Sequence, residues 1–160
     1  MVKLMLDSCV YDVLLEDGPL LNRLHELRRA GVIDPLATQI QREELARTPD
    51  VTKRLNLLAI REGLARYVLA AAIVLDETRW DEGRWMTDDG AAEFDAILRT
   101  DYRAGRGHTR DAIIIATAKY EGAVFVTAEK NRAAKVARKV GVEVWHLAGL
   151  REQSSALAAD

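Results

Sequence analysis

The chain contains one cysteine, Cys9, in 160 residues. A single thiol excludes an internal disulfide framework and a cysteine-based zinc site, and it fits a reducing compartment. The three histidines, His25, His108 and His146, lie far apart with no i, i+4 pair, so zinc chemistry is not expected. Three prolines and ten glycines are too few for a linker-like or repetitive polymer. The longest apolar run, Tyr67 to Leu75, spans nine residues, well short of the about 20 that a membrane helix needs. Asp7 interrupts the opening apolar stretch too early for a signal peptide. Neither sign of charge dominates. A net charge of −2 exerts no global pull on nucleic acid, so any such binding requires a local patch.

What remains is a globular composition, 49% apolar and 30% charged, which can build a core. Its length predicts a single domain over residues 1–150 with a tail over 151–160. The expectation is a soluble cytoplasmic protein with no membrane partner.

Val2 to Leu6 reads as a strand, followed by Asp7-Ser8 as a helix cap. Leu14, Leu21, Leu24 and Leu27 recur at helical spacing, and Gly31 closes that helix. Val32 to Thr38 contains Pro35, which predicts an irregular or edge strand. Ile40 to Arg47 reads as helix, and Pro49-Asp50 opens another to about Arg66. Tyr67 to Leu75 suits a helix or a buried strand equally. Further on, Ala91 to Leu98 reads as helix and Arg103 to Thr109 as a glycine-containing loop. Asp111 to Glu121 is a helix closed by Gly122, Ala123 to Thr127 a buried strand, and Asn131 to Val140 a basic helix closed by Gly141. Val142 to Trp145 is a last strand, with a C-terminal helix after it. Strands separated by helices predict an α/β fold, with a central, mostly parallel sheet between two helical layers.

In such sheets ligands bind beyond the carboxyl ends of the strands. Asp7 stands at one such end and Glu129 two residues after another. Asp111 has Ile114, Ile115 and Ala118 at i+3, i+4 and i+7, so it continues an apolar stripe from the first turn of its helix. Glu43 or Glu44 opens the helix after the second strand. Taken singly, Asp7 can be a cap, Asp111 a complement to a helix dipole, and Glu129 a turn acid. Taken together they would crowd negative charge at one sheet edge, which calls for a compensating cation. Oxygen-only ligands select hard ions such as Mg²⁺ or Mn²⁺, which activate water and support phosphodiester displacement. No Ser-His-Asp or Cys-His arrangement and no glycine-rich phosphate loop competes.

These residues resemble the PIN-domain family of metal-dependent ribonucleases, which includes VapC-type toxins. The family's opening strand-end acid resembles Leu6-Asp7-Ser8, and its Glu-Leu after a Thr-bearing strand resembles Thr38 through Glu44-Leu45. Its Asp-Ala-x-Ile-x-Ala-x-Ala helix is matched by Asp111 to Ala118, the most specific stretch together with Gly122 and Val126-Thr127. The resemblance is strong over the first ten residues and from about His108 to Val144, and slight over 49–90. It implies that Asp7, Glu44 and Asp111 hold a Mg²⁺ or Mn²⁺ ion, with Glu129 assisting and Ser8 supporting by hydrogen bonding. Glu43 competes for the role given to Glu44. Where the family usually has Asp, this chain has Glu129, one methylene longer. The activity implied is endoribonuclease cleavage leaving a 5′-phosphate. A paired antitoxin and a homodimer are further implications.

Lys130 to Lys139 carries five basic residues and no acid, and Arg103, Arg106 and Arg110 lead into Asp111. Arg106, Arg110, Lys130, Arg132 and Lys135 are thus candidates for an RNA backbone groove, with solvated faces as the alternative. Aromatics do not interleave with them, so base stacking is not indicated. Residues 76–95 are acidic and include Trp80 and Trp85, expected as partly buried anchors or a subunit contact. Two competing readings stand beside the nuclease. One is a catalytically weak PIN-like domain that binds RNA or protein. The other is a phosphoryl-transfer or receiver-like domain, for which Asp7-Ser8-Cys9-Val10 lacks an Asp-x-Asp signature.

Overall fold

The strands β1 (Val2–Leu6), β2 (Ile33–Ala37), β3 (Arg66–Tyr67), β4 (Val124–Thr127) and β5 (Val144–His146) form one sheet. Their order is β3-β2-β1-β4-β5, and every pairing is parallel. The computed structural model describes residues 1–71, 83, 88–101, 106–128 and 132–156. Among these are eight helices: α1 (Ser8–Glu16), α2 (Gly18–Arg29), α3 (Gln39–Ala46), α4 (Val51–Leu64), α5 (Asp88–Asp101), α6 (Arg106–Glu121), α7 (Arg132–Lys139) and α8 (Leu147–Ala156). None is long and apolar enough to cross a membrane.

Alternation along the strands builds two cores, because successive side chains in a strand point to opposite faces. Met5, Leu36 and Phe125 face Phe94 and Ile97 of α5, Ala112 to Ile115 of α6 and Val136 of α7. Leu4, Leu6, Ile33 and Val126 face Tyr11 and Leu14 of α1, Leu24 of α2, Leu57 of α4 and Leu150 of α8. The result is a three-layer α/β/α sandwich, as the sequence predicts. Each fully buried Leu or Phe contributes about 1.5–3 kcal/mol relative to exposure.

The local expectations fare unevenly. Val32 to Thr38 is no edge strand: β2 lies between β1 and β3. Its β3 partner reaches only Leu36 and Ala37, so Pro35 sits where the outer flank of β2 is unpaired and no N–H is required. The helix expected through Leu14 to Leu27 is two helices. Asp17 ends α1 and caps α2, accepting from the Leu20 N–H at 3.0 Å, and Gly18-Pro19 occupies the opening turn of α2. The loop expected over Arg103 to Thr109 is helical from Arg106, so Asp111 lies in the second turn of α6, away from its terminal N–H groups. Glu43 and Glu44 likewise stand in the second half of α3. In the ambiguous segment, Tyr67 ends β3 and Ala70 bridges to Gly83. Residues 72–75 of that segment, and most of 76–95 with Trp80 and Trp85, lie outside the described residues.

Candidate functional site

The strand order places a topological switch between β1 and β4. From there the chain winds outward to β2 on one side and to β5 on the other, opening a crevice at the carboxyl edge. Asp7 follows β1 and Thr127 ends β4, so these two residues line that crevice from adjacent strands.

Asp7 has extended backbone and caps α1. Its Oδ1 accepts from the Ser8 N–H at 2.8 Å, and its Oδ2 accepts from the Thr127 hydroxyl at 2.8 Å. The Cys9 thiol also donates to Oδ2, at 3.2 Å. With 9% of its surface exposed, the carboxylate is oriented from three sides. The thiol itself accepts from the Ala128 N–H at 3.3 Å. Burial, then the charge of Asp7, push the Cys9 thiol up to about 12. Such a group stays protonated at neutral pH and is no nucleophile.

Glu44 reaches the same crevice from α3, where its Oε2 accepts a short hydrogen bond from the Ser8 hydroxyl. Its placement follows from Thr38 and Gln41, which form a capping box at the start of α3. The Gln41 amide also donates to the Leu6 carbonyl at 3.1 Å, tying α3 to the end of β1. Glu44, three residues on, shares that helix face. Arg61 of α4, 6% exposed, donates to the Thr38 carbonyl at 3.1 Å and holds the cap from behind. Burial raises the Glu44 carboxyl above the usual range, and Asp7 raises it further. The Ser8 bond, Arg110 and Arg47 oppose the shift.

Asp7, Ser8, Cys9, Glu44 and Asp111 line one open cleft of about 440 Å³, with Arg47 and Thr48 beside them. Asp12 lines it too, and Lys53 pairs with it at 2.6 Å. Sequence reasoning passed over Asp12, although it follows Ser8 by four residues on α1 and so shares its face. Arg47, three residues after Glu44, carried the same signal.

The adjacent acids separate. Glu44 enters the cleft, whereas Glu43 lies 3.4 Å from Arg110 in an ion pair between α3 and α6. Arg110, a candidate for the nucleic-acid groove, is 7% exposed, and its charge also acts on Glu44 of the cleft. Arg132 and Lys135 are exposed on α7. Arg106 opens α6, its side chain lying outside the described residues, as do Glu129 and Lys130.

The carboxylates of Asp7, Glu44 and Asp111 thus share a cleft and offer only oxygen donors, which suit a hard cation. Among the described residues no three His, Cys, Asp or Glu side chains are drawn together into a ready coordination shell. No protein-family model matches the chain, and neither a curated protein nor a solved structure matches it.

Proposed function

We propose that the chain is a divalent-metal-dependent endoribonuclease working at the crevice between β1 and β4. The observation that carries this reading is the convergence of Asp7, Glu44 and Asp111, from three different elements, on one open cleft at the carboxyl edge. The raised proton affinity of Glu44 adds to it. Its cause is burial first and the charge of Asp7 second, and a bound cation would offset both.

Asp7, Glu44 and Asp111 would hold the Mg²⁺ or Mn²⁺ ion, whose Lewis acidity would support attack of water on a phosphodiester. The remaining groups have positioning roles. Thr127 and the Ser8 N–H fix the plane of the Asp7 carboxylate. The Ser8 hydroxyl fixes Glu44 against it. Cys9 donates to Asp7 as a neutral thiol. The exposed cations of α7 suit a phosphate backbone. RNA is the substrate that the resemblance to PIN domains and VapC-type toxins implies, and an antitoxin and a homodimer belong to the same proposal.

A second reading, a PIN-like domain that binds RNA or protein without cutting, is favoured by one observation. The three carboxylates share a cleft without forming a compact ligand set among the described residues. End-labelled structured and single-stranded RNAs in Mg²⁺, Mn²⁺ or EDTA, with wild type and Asp7→Asn side by side, separate the two. Metal-dependent cleavage that disappears in Asp7→Asn supports the nuclease. A folded Asp7→Asn protein that cuts as fast as wild type overturns the assignment of the site. Calorimetric absence of Mn²⁺ binding, together with no cleavage, selects the binding domain.

A further inference from the structure

His146 stands in a lateral row with the cleft. Leu6 pairs with Val126, and Thr127 pairs with His146, so Asp7, Thr127 and His146 occupy neighbouring strands at one level of the carboxyl edge. They also share a face. Met5 and Phe125, two residues before Asp7 and Thr127, belong to the core beneath α6 and α7, and Val144, two before His146, packs against it. Strands lie about 4.8 Å apart, so the backbone of His146 is about 10 Å from that of Asp7.

Arg138 of α7 meets this histidine, with Nη2 2.9 Å from Nε2. A guanidinium carries donors only, so Nε2 is the acceptor in this contact. Five arginines have a described ion pair with an acid: Arg23 with Glu26, Arg66 with Asp34, Arg99 with Asp95, Arg110 with Glu43 and Arg151 with Asp17. Arg138 is exposed, and among the described residues no carboxylate pairs with it. Glu143, the nearest acid in sequence, alternates to the other face and accepts from the Trp145 indole at 2.7 Å. An imidazole partner orients a guanidinium without cancelling its charge. Lys135, three residues earlier on α7, adds a second exposed cation on the same side.

We propose that Arg138, oriented by His146, is a phosphate-binding subsite for a single-stranded nucleic acid, gripping a phosphate that flanks the one presented to Asp7. The fork of remaining N–H donors suits two phosphate oxygens at once. Only the placement of the neighbouring phosphate rests on the nuclease reading; phosphate binding at Arg138 does not.

The test is fluorescence anisotropy of the full chain with a fluorescein-labelled single-stranded RNA of mixed sequence, in EDTA across a salt series. Arg138→Gln should weaken binding about five-fold and shrink the magnitude of the log–log salt slope by about 0.7. Arg138→Lys should keep the slope and lose part of the affinity. His146→Ala should do the same, because it removes orientation and leaves charge. Arg23→Gln, on α2 and already paired, should match wild type. Wild-type affinity and slope in Arg138→Gln would overturn the subsite, as would an equal loss in Arg23→Gln or no RNA binding by wild type. An Arg138 effect in a protein that never cuts RNA keeps the subsite and removes the nuclease. Metal-dependent cleavage with an inert Arg138 does the reverse.

Discussion

The Thr127 hydroxyl donates to Asp7 Oδ2 at 2.8 Å, joining side chains 120 residues apart in the chain. Thr127 is fully buried and Asp7 nearly so, which makes the bond a charge-assisted one in a low-dielectric setting. It is a side-chain link between the two strands that bracket the cleft.

Removing that donor should therefore be costly. Thr127→Val keeps the shape but leaves the carboxylate one donor short, at a cost of about 1.5–3 kcal/mol in urea unfolding. Thr127→Ser restores the donor and should recover most of the loss. Equal losses in Val and Ser would assign the effect to packing of the Thr127 methyl.

Glu44 gives a prediction in pH. Its carboxyl is raised above the ordinary 4.5, chiefly by burial, so the folded state keeps a proton that the unfolded state releases. Stability therefore falls as pH rises from 4.5 through the folded value, and the loss is complete above it. In EDTA, Glu44→Gln should be more stable than wild type at neutral pH, and the gap should close as pH falls to 4.5. Saturating Mn²⁺ should reverse the order, stabilising wild type by about 2.7 kcal/mol at a hundred-fold excess over Kd. A gap that does not change with pH would reject the burial argument.

Tyr11 supplies a third test. Its hydroxyl is fully buried, finds no hydrogen-bond partner among the described residues and is pushed upward in pKa by desolvation. Tyr11→Phe removes an unsatisfied group and should leave the fold unchanged or stabilise it by up to about 1 kcal/mol. A loss of that size would show that the hydroxyl has an acceptor.

The sequence is informative where a residue type has one physical use. Asp7-Ser8 after an apolar run marks both a strand end and a helix cap, and Asp111 precedes an unbroken apolar face; both residues line the cleft. Ambiguity arises where neighbours are chemically equal. Glu43 and Glu44 differ by about 100° around α3, and tertiary contacts such as the Gln41 bond to the Leu6 carbonyl and the Ser8 bond to Glu44 set which enters the cleft. Pro35 misleads because its tolerance depends on where a two-residue partner strand stops. The early start of α6 is hidden by Gly107, a poor helix former. Arg110 reads as a surface cation until α3 supplies Glu43 above it.

The pairing of β1 has a consequence for synthesis. Its partners begin at Ile33 on one side and Val124 on the other, so β1 waits for β4, made more than 110 residues later. A ribosome must finish Thr127 before Asp7 can be clamped, and the crevice does not exist in any shorter nascent chain. On the proposed reading, the growing polypeptide is harmless to the message that encodes it. Prematurely terminated products that stop before β4 would lack the β1–β4 crevice altogether.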